Sequence, residues 1–206
     1  MTFTEDRILH LRDVVKARMC EKRFSHTIGV EDMAIRLGNI FMPNRLSELR
    51  VAAIFHDVTK EMDIDEQLSF IDRCDKIDKS QKCVPQALHS FSGAAFISEN
   101  FGECVSDDIF DAVMHHTLGD KNMNLFSEII FLSDYIEEGR EYPESIYVRM
   151  HLFDMIDNAK SYDEKLRALH VATVSSITYT LNSLEKRGLI PDQRSVMTKK
   201  AFETLI

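Results

Sequence analysis

Apolar residues recur along this chain at intervals of three and four, the period of a helix that buries one face, and no strand-length run alternates apolar with polar. Near the N-terminus Ile8, Leu11, Val14, Val15 and Met19 keep that spacing and predict a helix over about 4–21, with Thr2 and Glu5 placed to form a capping box. A second helix is predicted over about 25–41, and Pro43 breaks the chain after it. Ser47 then stands where it can cap a third helix, which carries Leu49, Ala52, Ala53 and Phe55 directly into His56. Asp63 with Glu66 reads as another capping box. The segment 75–83, DKIDKSQKC, is the most polar in the chain and is expected as a surface loop. Pro85 can open the next helix in its first turn and Gly102 can close it just past its end. Further helices are expected over about 106–115, 124–137, 145–156 and 162–187, the last ended by Gly188 and Pro191. With only 7 Gly and 4 Pro to punctuate the chain, the fold class is all-α.

Size and composition narrow the class further. A chain of 206 residues is long enough for one substantial core, so one domain is the expectation. Its 44% hydrophobic and 29% charged residues are those of a globular protein rather than a disordered one. The start, MTFTEDRILH, places acidic residues at 5 and 6 and no apolar stretch behind a basic one, unlike a secretory signal. The longest clean apolar runs, 51–55 and 129–132, fall far short of the roughly 20 residues that cross a bilayer. A soluble, cytoplasmic protein without a membrane partner is expected. Cys20, Cys74, Cys83 and Cys104 form no C-x-x-C pair and are expected as reduced thiols rather than a zinc site. The formal charge of −9 argues against a surface that coats nucleic acid. It leaves room for a small anionic ligand, because a metal and a few local cations outweigh the global charge.

Five of the eight histidines, at 26, 56, 89, 115 and 116, fall between positions 26 and 134. A lone helical His is ordinarily a satisfied structural residue, so the argument rests on the combination. His56-Asp57 follows the run VAAIF, at the far end of a buried helix, where leaving both groups unpaired is costly. Two readings are open from the dipeptide: a His-Asp hydrogen bond at a helix end, or a metal ion, since imidazole nitrogen and carboxylate oxygen both suit Fe, Mn or Zn. Neither G-x-S-x-G nor G-x-x-x-x-G-K occurs, so no nucleophile elbow or P-loop competes. Lys60 lies four residues after His56 and shares its face if the helix continues that far. Arg23 precedes His26 by three residues and Arg140 follows Asp134 by six; a guanidinium suits bidentate phosphate recognition, and the alternative for each cation, the favoured one for Arg23, is a place on the solvated surface. Thr117 could offer a hydroxyl to phosphate or cap a helix.

Taken together, RFSHT at 23–27, HDVTK at 56–60, LHSFSGA at 88–94, HHTLG at 115–119 and FLSDYIEEGR at 131–140 resemble the HD-domain superfamily of metal-dependent phosphohydrolases. More narrowly, they look like the bacterial YqeK-type symmetrical diadenosine tetraphosphate hydrolases. The resemblance implies an HD-type helical bundle with its motif-bearing core over about 20–145 and additional helices over about 146–206. It implies His26, His56, Asp57 and Asp134 as metal ligands, with Fe as the first choice of ion and Mn or Zn as alternatives. His89 and His116 would line the substrate side, holding phosphate oxygens or a second metal. His116 is preferred to His115 because Thr117 and, two further on, Gly119 follow it. Lys60 would join the catalytic group, and Arg23, Thr117 and Arg140 would bind substrate. His10, His151 and His170 lie outside every motif and read as ordinary helix residues. Three positions depart from the family pattern: Ser90 where Gly is expected, Ser133 where Ala is expected and Glu138 where Pro is expected. None removes a ligand.

Four ligands leave positions on a six-coordinate ion for a phosphate oxygen and a water, which gives hydrolysis without a covalent enzyme intermediate. The residues alone reach phosphoester or phosphoanhydride hydrolysis. The resemblance sharpens this to cleavage of diadenosine tetraphosphate between its central phosphates, giving two ADP. Its rivals are another HD-type nucleotide phosphohydrolase, such as a nucleotidase or cyclic-nucleotide phosphodiesterase, and a non-catalytic metal-containing domain that senses nucleotides. The expected partner is a dinucleotide polyphosphate or another small nucleotide; the sequence leaves homo-oligomers open.

Overall fold

Helical periodicity becomes ten α-helices in the computed structural model, which describes residues 3–79, 84–102 and 105–206 and contains no strand among them. The element that organises the rest is α3 (Leu46–Phe55), whose Leu49, Val51, Ala52, Ala53, Ile54 and Phe55 are all fully buried. Its C-terminal half, Val51 to Phe55, is apolar on every side and can only sit inside other helices. It is surrounded by α1 (Glu5–Lys16), α2 (Glu21–Phe41), α6 (Asp107–His115) and α7 (Leu125–Ile136). Each large side chain so buried contributes about 1.5–3 kcal/mol, so the end of α3 is a rigid platform for whatever follows it. His56 and Asp57 follow it.

Four further helices matter for the site or its support. α5 (Leu88–Phe101) packs on α6 and on α4 (Ile64–Arg73), while α8 (Pro143–Asn158) and α9 (Tyr162–Lys186) pack on α7 and on each other. The functional side chains therefore gather at the C-terminal end of α3. No helix among the described residues is long and apolar enough to cross a membrane. Cys20 and Cys74 are free thiols, and Cys83 and Cys104 lie outside the described residues.

Several boundaries differ from expectation, each for a local reason. The cap of α1 is Thr4, whose hydroxyl accepts from Arg7 N–H at 3.3 Å; Thr2 lies outside the described residues. Helix α2 starts at Glu21 rather than 25, so Arg23 and His26 sit one turn apart on a single helix. Ser47 lies inside α3 and does not cap it; its hydroxyl accepts from Phe3 N–H at 3.2 Å and ties down the N-terminal segment. Asp63 occupies the N-cap of α4 without a capping hydrogen bond. Pro85 opens a 3-10 turn, Pro85–Ala87, ahead of α5, and Gly102 closes α5 with helical torsions. Of the polar segment 75–83 the described part runs to 79, and within it Ile77 is buried against the core.

The last of the additional helices expected over 146–206 is one whose bounds the apolar pattern does not give. After Gly188, which takes a positive φ of 69°, Asp192 caps α10 (Gln193–Glu203) by accepting from Arg194 N–H at 2.9 Å. Its buried positions are Ser195, Thr198 and Phe202, two of them small and polar, so the inward face carries almost no apolar signal.

Candidate metal centre

The last turn of a helix leaves carbonyls without partners, and two histidines here exploit that. His56 and His116 each stand directly after a helix, α3 and α6, and each ring folds back: His56 Nδ1 lies 2.7 Å from Ala53 O and His116 Nδ1 lies 2.7 Å from Val113 O. A carbonyl only accepts, so Nδ1 carries a proton in both and Nε2 is the nitrogen left to face inward. His26, on α2, turns its Nδ1 to the Glu137 carboxylate at 3.1 Å and its Nε2 inward as well.

Those nitrogens converge on two carboxylates. Asp134, near the end of α7, places Oδ1 3.0 Å from His26 Nε2 and 4.0 Å from His56 Nε2. Asp57 sits between two groups: its Oδ2 is 3.5 Å from His56 Nε2 and 4.0 Å from His26 Nε2, while its Oδ1 is 3.3 Å from His89 Nε2 and 3.5 Å from His116 Nε2. His26, His56 and Asp134 form one cluster of ligand atoms and Asp57, His89 and His116 a second, with all atoms of each cluster within 4.8 Å of one another. The 3.5 Å gap between His56 Nε2 and Asp57 is too long for a hydrogen bond, so the pair is not satisfied internally. His56 Nε2 is buried and has no hydrogen-bond partner among the described residues. A buried ring nitrogen without a partner beside two carboxylates is costly as it stands and well suited to a shared cation, so these residues fit a metal ion.

The cations expected around this point are there. Arg23 donates to Asp57 Oδ2 at 2.8 Å, and Arg140 donates to Asp134 Oδ1 at 2.6 Å and to the Asp134 carbonyl at 2.9 Å. Lys60 Nζ lies 3.0 Å from His89 Nε2, and Thr117 Oγ1 lies 3.1 Å from the same nitrogen. Lys60 does not ride a continuing helix, because α3 ends at Phe55. Successive turns replace it, with Lys60 N–H bonded to the Asp57 carbonyl at 2.9 Å. Buried Thr59 donates to His89 O at 2.9 Å and meets Ser92 Oγ at 2.7 Å, which ties the His56-Asp57 turn to α5. Outside the cluster, His10 and His151 are exposed, His151 stacks on Tyr147, and His170 contacts Glu128 at 3.0 Å. His115 belongs to neither cluster.

Charge and burial oppose each other throughout. Burial pushes the Asp57 carboxyl up, but His56 and His116 outweigh it and hold it well below the usual range; at Asp134 burial is outweighed in the same way by His26 and Arg140. For His26 burial acts downward, yet hydrogen bonds to Asp134 and Glu137 raise the imidazole to about 9. Burial, aided by His116, holds His89 well below its ordinary value, and burial lowers Lys60 despite Asp57 and Asp134. Beside the cluster opens a cavity of about 730 Å³, lined by Arg23, His26, Glu137, Arg140 and Tyr142 among others, within the usual size of a small-molecule site.

Histidine, His-Asp and Asp side chains brought together from α2, the end of α3 and α7 define an HD domain. The HD domain family model matches residues 23–139, and the chain belongs to that family. Over 196 residues it is 33% identical to the symmetrical bis(5'-nucleosyl)-tetraphosphatase of Halalkalibacterium halodurans, covering 92% of this chain and 95% of that protein. Over 129 residues it is 33% identical to the Bacillus subtilis protein of the same name, covering 63% of this chain and 68% of that one. A crystal structure from Clostridium acetobutylicum, described as a predicted HD superfamily hydrolase involved in NAD metabolism, matches with a TM-score of 0.73 over 99% of each chain at 23% identity. That likeness shows the fold. The chain is an HD-domain hydrolase related to the symmetrical tetraphosphatases.

Proposed function

We propose that this protein hydrolyses diadenosine tetraphosphate between its two central phosphates, releasing two ADP, at a metal centre held by His26, His56, Asp57 and Asp134. The observation that carries the metal chemistry is the buried, unpartnered His56 Nε2 beside two carboxylates held ionised. The substrate rests on the similarity to the two tetraphosphatases. An ion bound there, Fe by preference with Mn or Zn as alternatives, would supply Lewis-acid neutralisation of phosphate charge and a more acidic water.

The chain's own residues divide the remaining work. Arg23 and Arg140 stand at the edge of the cavity beside the two carboxylates, where a guanidinium can take phosphate oxygens in pairs. Lys60, with its charge next to His89, faces the leaving phosphate and offsets the charge that develops on the departing ADP oxygen. His89 and His116 present Nε2 on the substrate side of Asp57 and hold phosphate oxygens or a second ion, and Thr117 adds a hydroxyl donor beside His89. Burial of His56, Asp57, His89 and His116 keeps bulk water from the inner side of this group and strengthens the contacts made there.

The test is a product separation at early time. Incubation of the metal-loaded protein with diadenosine tetraphosphate should give ADP as the only nucleotide product. AMP, cyclic dinucleotides and guanosine tetraphosphate serve as competing substrates. Early ATP plus AMP would assign asymmetric cleavage instead, and faster turnover of any competitor would move the protein to another HD nucleotide phosphohydrolase.

A further inference from the structure

The three histidines with a fixed outer hydrogen bond do not use the same kind of partner. His56 and His116 spend Nδ1 on backbone carbonyls, which are neutral. His26 spends it on the carboxylate of Glu137. Glu137 is only 3% exposed and directly follows α7, one turn beyond Asp134, so the end of this one helix holds the His26 ring at both nitrogens.

The seat of Glu137 is built from three directions. Oε1 faces His26, and Oε2 accepts Gly139 N–H at 2.5 Å. The Glu137 carbonyl accepts from Arg149 at 2.6 Å, which anchors the backbone of the same residue. Space for the carboxylate comes from Gly29, one turn beyond His26 on α2, where an added Cβ would overlap Glu137 Oε2. A buried carboxylate held by fixed donors and admitted by a missing side chain is constrained to one orientation.

We propose that Glu137 is the positioning residue for His26, aiming Nε2 at the metal centre and strengthening it as a donor, with Gly29 as the gap that admits it. The inference rests on the metal reading above. A carboxylate behind an imidazole fixes the tautomer and raises ring basicity more than a carbonyl does, and loss of such a partner typically weakens metal binding by about 10–100-fold. His26 is then the ligand whose donor strength the protein sets by charge, whereas the helix ends set those of His56 and His116.

The experiment measures zinc binding alone, by competition with a chromophoric chelator, without substrate. Wild type is compared with Glu137→Ala, Glu137→Gln, Gly29→Ala and His26→Ala, and the unfolding temperature of each zinc-free protein is recorded alongside. Glu137→Ala should weaken zinc by about 10–100-fold. Glu137→Gln, whose amide oxygen can still accept from Nδ1, should recover part of the loss. Gly29→Ala should resemble Glu137→Ala although it leaves the carboxylate in the chain; if it does not fold, the two Glu137 variants decide. Zinc affinity in Glu137→Ala within twofold of wild type would overturn the proposal, as would equal losses in the Ala and Gln variants that merely track a lower unfolding temperature. Unchanged zinc binding in His26→Ala would instead overturn the metal reading itself, so the two failures are distinguishable.

Discussion

Helix α2 carries two ionisable side chains little more than a turn apart, Glu31 buried and His26 largely so, and they are treated in opposite ways. Glu31 is fully buried and closed: Arg12 donates to both its oxygens at 2.7 and 2.8 Å, Arg50 adds a third bond at 2.7 Å, and Arg50 reaches on to Glu5 at 2.8 Å. The cluster joins α1, α2 and α3 and leaves neither carboxylate oxygen without a donor. His26 is open by comparison. Glu137 engages its outer nitrogen and Asp134 Oδ1 lies 3.0 Å from its inner one, but the pocket that it shares with His56, Asp57 and Asp134 holds a neighbouring nitrogen with no partner among the described residues. A buried network that is fully satisfied contributes to stability, whereas one left short of a cation is set aside for a ligand.

That contrast can be broken from either side. The largest effect is expected at Asp57, the carboxylate of the second ligand cluster whose Oδ2 also faces His56 and His26 of the first: Asp57→Ala should remove metal and hydrolysis together, with activity falling by more than the roughly hundredfold that a missing outer partner costs. Elemental analysis beside a product assay checks this, and activity that survives excess chelator in wild type would remove the metal from the mechanism. Glu31→Ala should do the reverse. It should lower stability in denaturant by about 2–3 kcal/mol, somewhat under the value for a fully buried pair because Arg12 and Arg50 can reach solvent, while the folded fraction keeps its metal.

The smallest effect sharpens the description of His26. With its imidazole raised from 6.5 to about 9, the metal-free protein gains stability from His26 that is complete below about pH 6.5 and is lost as pH rises through about 9. The same proton must leave before Nε2 can bind an ion. Zinc affinity should therefore tighten with rising pH between 7 and 9, by at most about tenfold per unit, and level off above. A dissociation constant that stays flat over that interval would mean that His26 is already neutral at pH 7.

Much of the centre was legible because its residues come in ordered local segments. Arg23 with His26, His56-Asp57 with Lys60, and His116 with Thr117 are each separated by a turn or less, so placing one residue of a segment places the others. Glu137 was not legible in the same way. A glutamate just past a helix reads as a solvated end, and nothing local shows that it will be buried against a residue 111 positions away. Gly29 is equally silent, since a glycine inside a helix reads as a weak spot until the carboxylate it admits is seen. Helix α10 escaped because Ser195 and Thr198 face inward where the pattern requires apolar residues. The same limit applies to Glu31, whose closing arginines come from two other helices.

Helix α10 also bears on the order in which this chain can be finished. Ser195 donates to Leu118 O at 2.9 Å, and Thr198 presses on Gly119, which holds a positive φ of 70° in the turn after His116 and Thr117. The first of these joins residues 77 positions apart, whereas every proposed ligand lies before residue 135. On the ribosome, a nascent chain that has already emerged through Asp134 owns the whole set of ligand side chains but still lacks the brace behind the Thr117 turn. Synthesis must run on by some sixty residues before that brace arrives, and a protease that clips the tail ahead of Ser195 returns the mature protein to the same unbraced state.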